Sequence, residues 1–273
     1  MALSLSETKE ILQLLRVRPK RKWGQNFLID PQIVHRSIEW AHLSPNEMVV
    51  EIGPGCGTLT NQLVSAQARV FAVEKEAAFA SYLSQQFPID CLQGDALKYP
   101  LGRFQPSVPY KVVANLPYAI TSVWLDTILE QSRLPEIMVL LIQKEAANRW
   151  LAAAGTKHFS ALSISLQAAY TLQQKCNVSK RCFYPQPKVD SMLICLQKRT
   201  DGWIFPKNFK QWMRNVFLHR RQQFARVCKK IPSQFAEPFL TFLASQGIPQ
   251  TVRAEAIPLE RWVQFAKTIA PKV

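Results

Sequence analysis

At 273 residues the chain is long enough for one large core and a smaller satellite, because single cores rarely keep growing past ~250 residues. Hydrophobic residues make up 48% of it and no low-complexity block interrupts it, which argues for a globular fold rather than a disordered one. Thirty-four Lys and Arg against 19 Asp and Glu give a formal net charge of +15, a field that draws in nucleic acid or an anionic membrane.

Residues 1–22 are polar, and Arg16, Arg18, Lys20, Arg21 and Lys22 put five positive charges into seven residues, so this segment reads as a mobile basic arm. From Met48 short apolar strands alternate with helical stretches. Strands are predicted at 48–52, 69–74, 89–95, 110–116 and 137–143, and helices at 58–66, 77–87 and 122–131. Such alternation specifies βαβ units and a mostly parallel sheet covered on both faces, an α/β fold. Residues 160–170 read as a helix. Strands around 171–178 and 189–197, joined by the loop RCFYPQPK, are expected to close the sheet as an antiparallel hairpin. The α/β domain is therefore placed at 23–200.

Beyond Thr200 the strand signal stops, and 201–273 reads as a small helical domain. Phe209, Trp212, Met213, Val216 and Phe217 recur at helical spacing, while Lys210, Arg214 and Arg221 fall on another face, so one side is expected to pack and one to be basic. The six cysteines are scattered without a C-x-x-C pair or a nearby His at ligand spacing, and reduced thiols with no metal are expected. His35, His42, His158 and His219 form no catalytic constellation. No apolar run approaches the ~18 residues of a spanning helix and no signal peptide is read, so membrane is the weaker partner and a cytoplasmic location is expected.

Glu51-Ile52-Gly53-Pro54-Gly55-Cys56-Gly57 follows the first predicted strand and opens a helix whose start is marked by Thr58. Glycines there let the backbone approach a ligand closely. A phosphate-cradling ATP loop is disfavoured, because it requires Gly-Lys-Ser/Thr. A dinucleotide site stays open at this point, since Glu74 ends the next strand about 20 residues on, where a carboxylate accepts ribose hydroxyls.

Asp95, in QGDAL, is placed to accept a hydrogen bond from an adenine amine, and Asn115-Leu116-Pro117-Tyr118 follows the fourth strand at the same sheet edge. In isolation each reads more simply as an acidic helix cap or a proline turn. In this order with the glycine loop they suit methyl transfer to the exocyclic N6 of adenine, a weak nucleophile whose lone pair is delocalised into the ring. The Asn115 oxygen and a backbone carbonyl near Leu116 would hold the amine protons and aim the freed lone pair. Pro117 fixes the backbone, Tyr118 would stack on a base taken out of its helix, and Phe183 would supply the opposite wall.

At these residues the chain resembles the rRNA adenine N6,N6-dimethyltransferase family, the bacterial small-subunit dimethyladenosine transferases. The resemblance runs through KRKWGQNFLID, EIGPGCGTLT, QGDAL, VVANLPY, QKEAANR, FYPQPKVDS, FLHRRQQF and RAEAIPLERW, nearly the whole chain. It implies a Rossmann-like class I methyltransferase sheet and a helical RNA-binding domain. S-adenosylmethionine is the implied cofactor, with S-adenosylhomocysteine as product. The implied reaction is dimethylation of two adjacent adenines near the 3′ end of 16S rRNA, by a monomer acting on a precursor small subunit. It also suggests an assembly checkpoint, in which the protein stays bound until methylation is complete.

Carried over by position, Gln25, Asn26 and Leu28 would contact the cofactor, Gly53 and Gly55 its methionine moiety, Glu74 its ribose, Asp95 and Ala96 its adenine, and Asn115 both cofactor and target. Arg21, Lys22, Lys188, Arg220 and Arg221 would contact RNA. The chain departs from the family pattern at Glu76, where Asp is usual, and at Ala119-Ile120-Thr121, where Asn-Ile-Ser is common. Two alternatives are set beside this reading. One is a large-subunit adenine methylase of the antibiotic-resistance type, against which FLHRRQQF and RAEAIPLERW speak. The other is a non-catalytic nucleic-acid-binding factor, against which the intact Glu74, Asp95 and Asn115–Tyr118 set speaks.

Overall fold

The computed structural model describes residues 2–20 and 24–269; Arg21 and Lys22 lie outside the described residues. The segment read as an arm contains a ten-residue helix, α1 (Leu5–Leu14). Ser4 caps it reciprocally, its hydroxyl accepting from the Glu7 N–H while the Glu7 carboxylate accepts from the Ser4 N–H at 2.7 Å. Leu12 is buried in a cluster with Phe79 and Leu83. A capping box and a half-turn apolar face therefore outweigh the charge of the residues that follow.

Two compact units emerge, one from residues 1–147 and 172–198 and one from 148–171 and 199–273. In the first, β1 (Phe27–Leu28) and α2 (Pro31–Ala41) precede the repeated strand–helix units β2 (Met48–Ile52), α3 (Thr58–Ser65), β3 (Arg69–Glu74), α4 (Ala77–Gln86), β4 (Asp90–Gln93), β5 (Tyr110–Asn115), α5 (Thr121–Ile128) and β6 (Ile137–Gln143). After α6 (Lys144–Trp150) and α7 (Ala161–Ala169) come β7 (Tyr170–Val178), β8 (Phe183–Tyr184) and β9 (Ser191–Lys198).

The main sheet has seven strands in the order β4-β3-β2-β5-β6-β9-β7. Pairings from β4 through β6 are parallel, and β9 runs antiparallel to β6 with Met138 opposite Leu196. The runs VVAN and MVLLI are buried almost throughout, as strands covered on both faces require. The edge strand β7 exposes its central QQK, the polar composition that blunts an unpaired edge.

From β2 the chain winds outward through β3 and β4, then returns to β2's other side with β5. This reversal opens a crevice beyond the carboxyl ends of β2 and β5, the place where open α/β sheets bind ligands. A second, two-stranded sheet joins β1 to β8, with Phe27 opposite Tyr184 and Leu28 opposite Phe183. Periodicity over two residues carries no strand signal, so the sequence does not announce it.

The helical unit contains α8 (Lys207–Leu218), α9 (Phe224–Lys230), α10 (Ala236–Ser245) and α11 (Leu259–Ile269). It also takes in residues 148–171, which the sequence reading places inside the α/β domain. Phe159, Ile164 and Ala168 are buried with Phe209, Met213, Phe239 and Trp262 in one apolar cluster, so α7 belongs with the helices that cover it. Trp262 and Phe265 lie 4.8 and 4.6 Å from the Phe239 ring centre, and such aromatic pairs add ~0.5–1.5 kcal/mol each beyond the area they bury. Lys210, expected on the basic face of α8, is instead only 2% exposed. No helix among the described residues is long and apolar enough to cross a membrane.

Candidate active site

Past Ile52 the chain turns through Gly53-Pro54-Gly55-Cys56-Gly57 into α3. Gly53 and Gly55 adopt φ of +65° and +58°, which costs an L-residue strain. A Cβ on Gly55 would sit 2.8 Å from the Phe27 ring, so this glycine is also what lets β1 lie against the loop. The Gly55 N–H donates to the Glu74 carboxylate at 3.1 Å, tying the loop to the end of β3.

Glu74 also accepts the Glu76 N–H at 2.8 Å, and burial pushes its carboxyl above the usual range. At the end of β4, Asp95 accepts the Leu97 N–H at 2.9 Å and the Lys75 ammonium at 2.8 Å. These bonds hold its carboxyl below the usual range. A carboxylate offers about four acceptor positions, so both groups keep capacity for a ligand's hydroxyls or amine. Glu76, the family departure, accepts the Lys20 ammonium at 2.5 Å.

Asn115 ends β5. Its Nδ2 donates to the Asn26 carbonyl at 2.9 Å, and because a carbonyl only accepts, this bond assigns the amide nitrogen and leaves Oδ1 as a free-standing acceptor. The Pro117 carbonyl already accepts from the Ile120 N–H and the Thr121 hydroxyl, both at 3.1 Å. No described residue donates to Asn115 Oδ1 or the Leu116 carbonyl, so both stay open to an incoming amine. Tyr118 is half-buried, with its hydroxyl 2.5 Å from Ser191 Oγ.

Gln25, Asn26, Leu28, Gly53, Gly55, Glu74, Asp95, Ala96, Asn115, Leu116 and Tyr118 all line one cavity of about 200 Å³. The predicted cofactor set, spread over ninety positions, is therefore brought together in one place. Phe183 is not. Its pairing with Leu28 carries the ring into the apolar cluster of Val34 and Val113, where it is 1% exposed and has no face to offer a base. Lys188 and Arg221 are exposed, as an RNA contact requires. Arg220 instead donates to the Lys157 carbonyl and lies 3.7 Å from Glu255, which makes it a strut within the helical unit.

Glu51 was not anticipated. It lines the same cavity at 1% exposure and accepts the Thr60 hydroxyl at 2.7 Å, and burial pushes its carboxyl up to about 8. In the fold it is neutral up to that value, whereas unfolding restores the ordinary 4.5. The native state binds the extra proton between those limits, so Glu51's contribution to stability is intact below about pH 4.5 and is lost as pH rises towards about 8. Glu51→Gln removes that slope. Its melting temperature should gain on the wild type between pH 5 and pH 8.5, as thermal melts at both values will read; parallel curves would contradict the assignment.

The acidic and basic side chains among the described lining residues are Glu51, Glu74, Asp95 and Lys75, and the lysine is bound to Asp95. The one described cation there is thus engaged by a carboxylate, and the acidic side chains offer acceptors to a ligand bearing amine and hydroxyl donors. The comparison with known proteins agrees. Residues 16–271 match the ribosomal RNA adenine dimethylase family. The chain belongs to that family. Among relatives, a protein named ribosomal RNA small subunit methyltransferase A from Opitutus terrae is 40% identical, with 96% of this chain and 97% of that one aligned. One of the same name from Thermosynechococcus vestitus is 34% identical over 93% and 97%.

A dimethyladenosine transferase from Plasmodium falciparum superimposes with a TM-score of 0.72 at 23% identity, over 88% of this chain and 95% of that one. The 23S rRNA methyltransferase ErmE does so at 0.64 and 24%, over 89% and 98%. Both share the class I methyltransferase fold. Of the second family departure, Ala119 is exposed at the cavity rim and the Thr121 hydroxyl donates to the Pro117 carbonyl.

Proposed function

We propose that this protein transfers methyl groups from S-adenosylmethionine to the N6 amines of two adjacent adenines near the 3′ end of small-subunit rRNA, within a precursor subunit in the cytoplasm. The observation that carries this reading is the bond from Asn115 Nδ2 to the Asn26 carbonyl, which turns the amide oxygen into an acceptor beside the Leu116 carbonyl. The relatives' name, ribosomal RNA small subunit methyltransferase A, supports the choice of subunit.

The residues present fit the cofactor. Glu74 would hold ribose hydroxyls, Asp95 with Ala96 the adenine, and the backbone of Gly53 and Gly55 with Gln25, Asn26 and Leu28 the methionine end. When bound, S-adenosylmethionine supplies an electrophilic methyl on a cationic sulfur, and leaves as S-adenosylhomocysteine. The protein's own work is on the amine. Two acceptors take its two N–H bonds, which draws the nitrogen towards a tetrahedral shape and frees the lone pair. A second transfer to the same nitrogen meets one remaining N–H, for which one acceptor is enough. Methylation makes the nitrogen strongly acidic, so its proton leaves to water without a dedicated base. Tyr118, held on the rigid Pro117 backbone, would stack on the displaced base.

Arg221 and Lys188 would meet the RNA backbone. Arg221→Ala should weaken rRNA binding several-fold and lower the slope of log affinity against log salt by about one, while cofactor affinity stays put. Fluorescence anisotropy at several salt concentrations measures the first and a cofactor titration the second. An unchanged salt slope would remove Arg221 from the interface. The reaction itself is tested by incubating the protein with unmethylated small subunits and methyl donor, then looking for N6,N6-dimethyladenosine in the rRNA by mass spectrometry.

A further inference from the structure

FYPQPKVDS ends in a serine to which the reaction as derived gives no role. Ser191 opens β9, is fully buried, and stands opposite Gln143 at the end of β6. Its place is fixed from both sides. The carbonyl of the preceding Asp190 accepts the Lys144 N–H at 3.1 Å, and the Asp190 carboxylate accepts the Lys180 N–H at 3.0 Å. From this anchored position Ser191 Oγ meets the Tyr118 hydroxyl at 2.5 Å, 73 positions away in sequence.

We infer that Ser191 is a positioning residue for the target adenine, acting through Tyr118. A tyrosine ring turns about its own axis and rocks about Cβ, and a ring at the mouth of a cavity does both. Tyr118's backbone is set by Pro117, but its ring needs a second fixed point to present one defined face. The Ser191 hydroxyl supplies it at the far end of the ring. It holds the phenol oxygen to the floor of the sheet, so the plane on which the base stacks is set before the base arrives. Ordering done in advance is not charged against substrate entry, the usual gain from preorganisation. Among the described residues no other side chain bonds that oxygen, so the Ser191 contact sets the ring's tilt.

This inference rests on the proposed methyl transfer, and the test separates the two. Single-turnover methylation of unmethylated small subunits would be measured for wild type, Ser191→Ala, Tyr118→Phe and the double variant, alongside melting temperature and cofactor titration. An inactive wild type removes the reaction and leaves Ser191 aside. With an active wild type, Ser191→Ala and Tyr118→Phe should each slow the step by about three- to tenfold, the worth of one hydrogen bond. Cofactor affinity and subunit binding should hold, and the double variant should be no slower than either single one. A fluorescent 2-aminopurine at the target position should show less base displacement in both variants, which a purely structural serine would not produce.

A wild-type rate in Ser191→Ala, or additive losses in the double variant, would overturn the assignment. Should Ser191→Ala melt too low for assay, Tyr118→Phe breaks the same bond from the ring's side. A wild-type rate and wild-type 2-aminopurine signal there would overturn it equally.

Discussion

Asn115→Ala should reduce methyl transfer by about 10²–10³-fold, the scale of removing one preorganised polar group from a reacting centre. The side chain has two functions on its two ends. Its Oδ1 is an acceptor left open in the cavity, and its Nδ2 holds the Asn26 carbonyl at 2.9 Å. Asn115→Asp separates them only in appearance, because a carboxylate keeps the acceptor but turns an oxygen towards the Asn26 carbonyl. Both variants should therefore be nearly inactive in single-turnover assays. Melting temperatures should change little, since Asn115 lies at a strand end and only part of it is buried. A rate within about threefold of wild type in Asn115→Ala would remove the amide from the chemistry, because it is less than one hydrogen bond is worth.

Glu74→Ala should weaken S-adenosylmethionine binding by about a hundredfold or more, measured by isothermal titration. Two losses combine. On the proposed placement the ribose hydroxyls lose an acceptor, and the N–H groups of Gly55 and Glu76 lose the partner that fixes the glycine loop. At saturating cofactor the rate should largely recover, because Glu74 touches no atom that changes bonding; a rise in KM with kcat retained is the signature of lost binding. Glu74→Gln keeps one acceptor and should fall between. Unaltered affinity in Glu74→Ala would place the cofactor elsewhere.

The large-scale order of this fold is legible in the chain because each sheet strand announces itself by composition. Val49–Ile52, Tyr110–Ala114 and Ile137–Ile142 are apolar enough to be buried on both faces, and helical spacing fills the gaps between them. The cavity is legible for a related reason. Ligands of such sheets lie at strand ends, and Glu74, Asp95 and Asn115 sit at or just past the ends of β3, β4 and β5. What was hidden depends on contacts between distant segments. Nothing local tells that Phe183 turns inward, since that follows from a two-residue pairing with Phe27–Leu28. Nor does spacing reveal that Arg220 braces Lys157 and Glu255 while its neighbour Arg221 is exposed, or that Lys210 is buried. Glu51 was passed over because an acidic residue in an apolar strand carries no mark of its hydroxyl partner, Thr60, nine positions on. The N-terminal helix had a readable signal in Ser4 and Glu7, outvoted by the basic run after it.

The helical unit draws on two stretches of chain, and this limits how the protein can be taken apart. A fragment ended at residue 198 would keep α7 but strip it of the helices that enclose it, leaving Phe159 and Ile164 facing solvent. Such a piece would be sticky and prone to aggregate however sound its sheet. Exchanging C-terminal regions between relatives to transplant substrate choice will therefore work only when residues 148–171 travel with the graft.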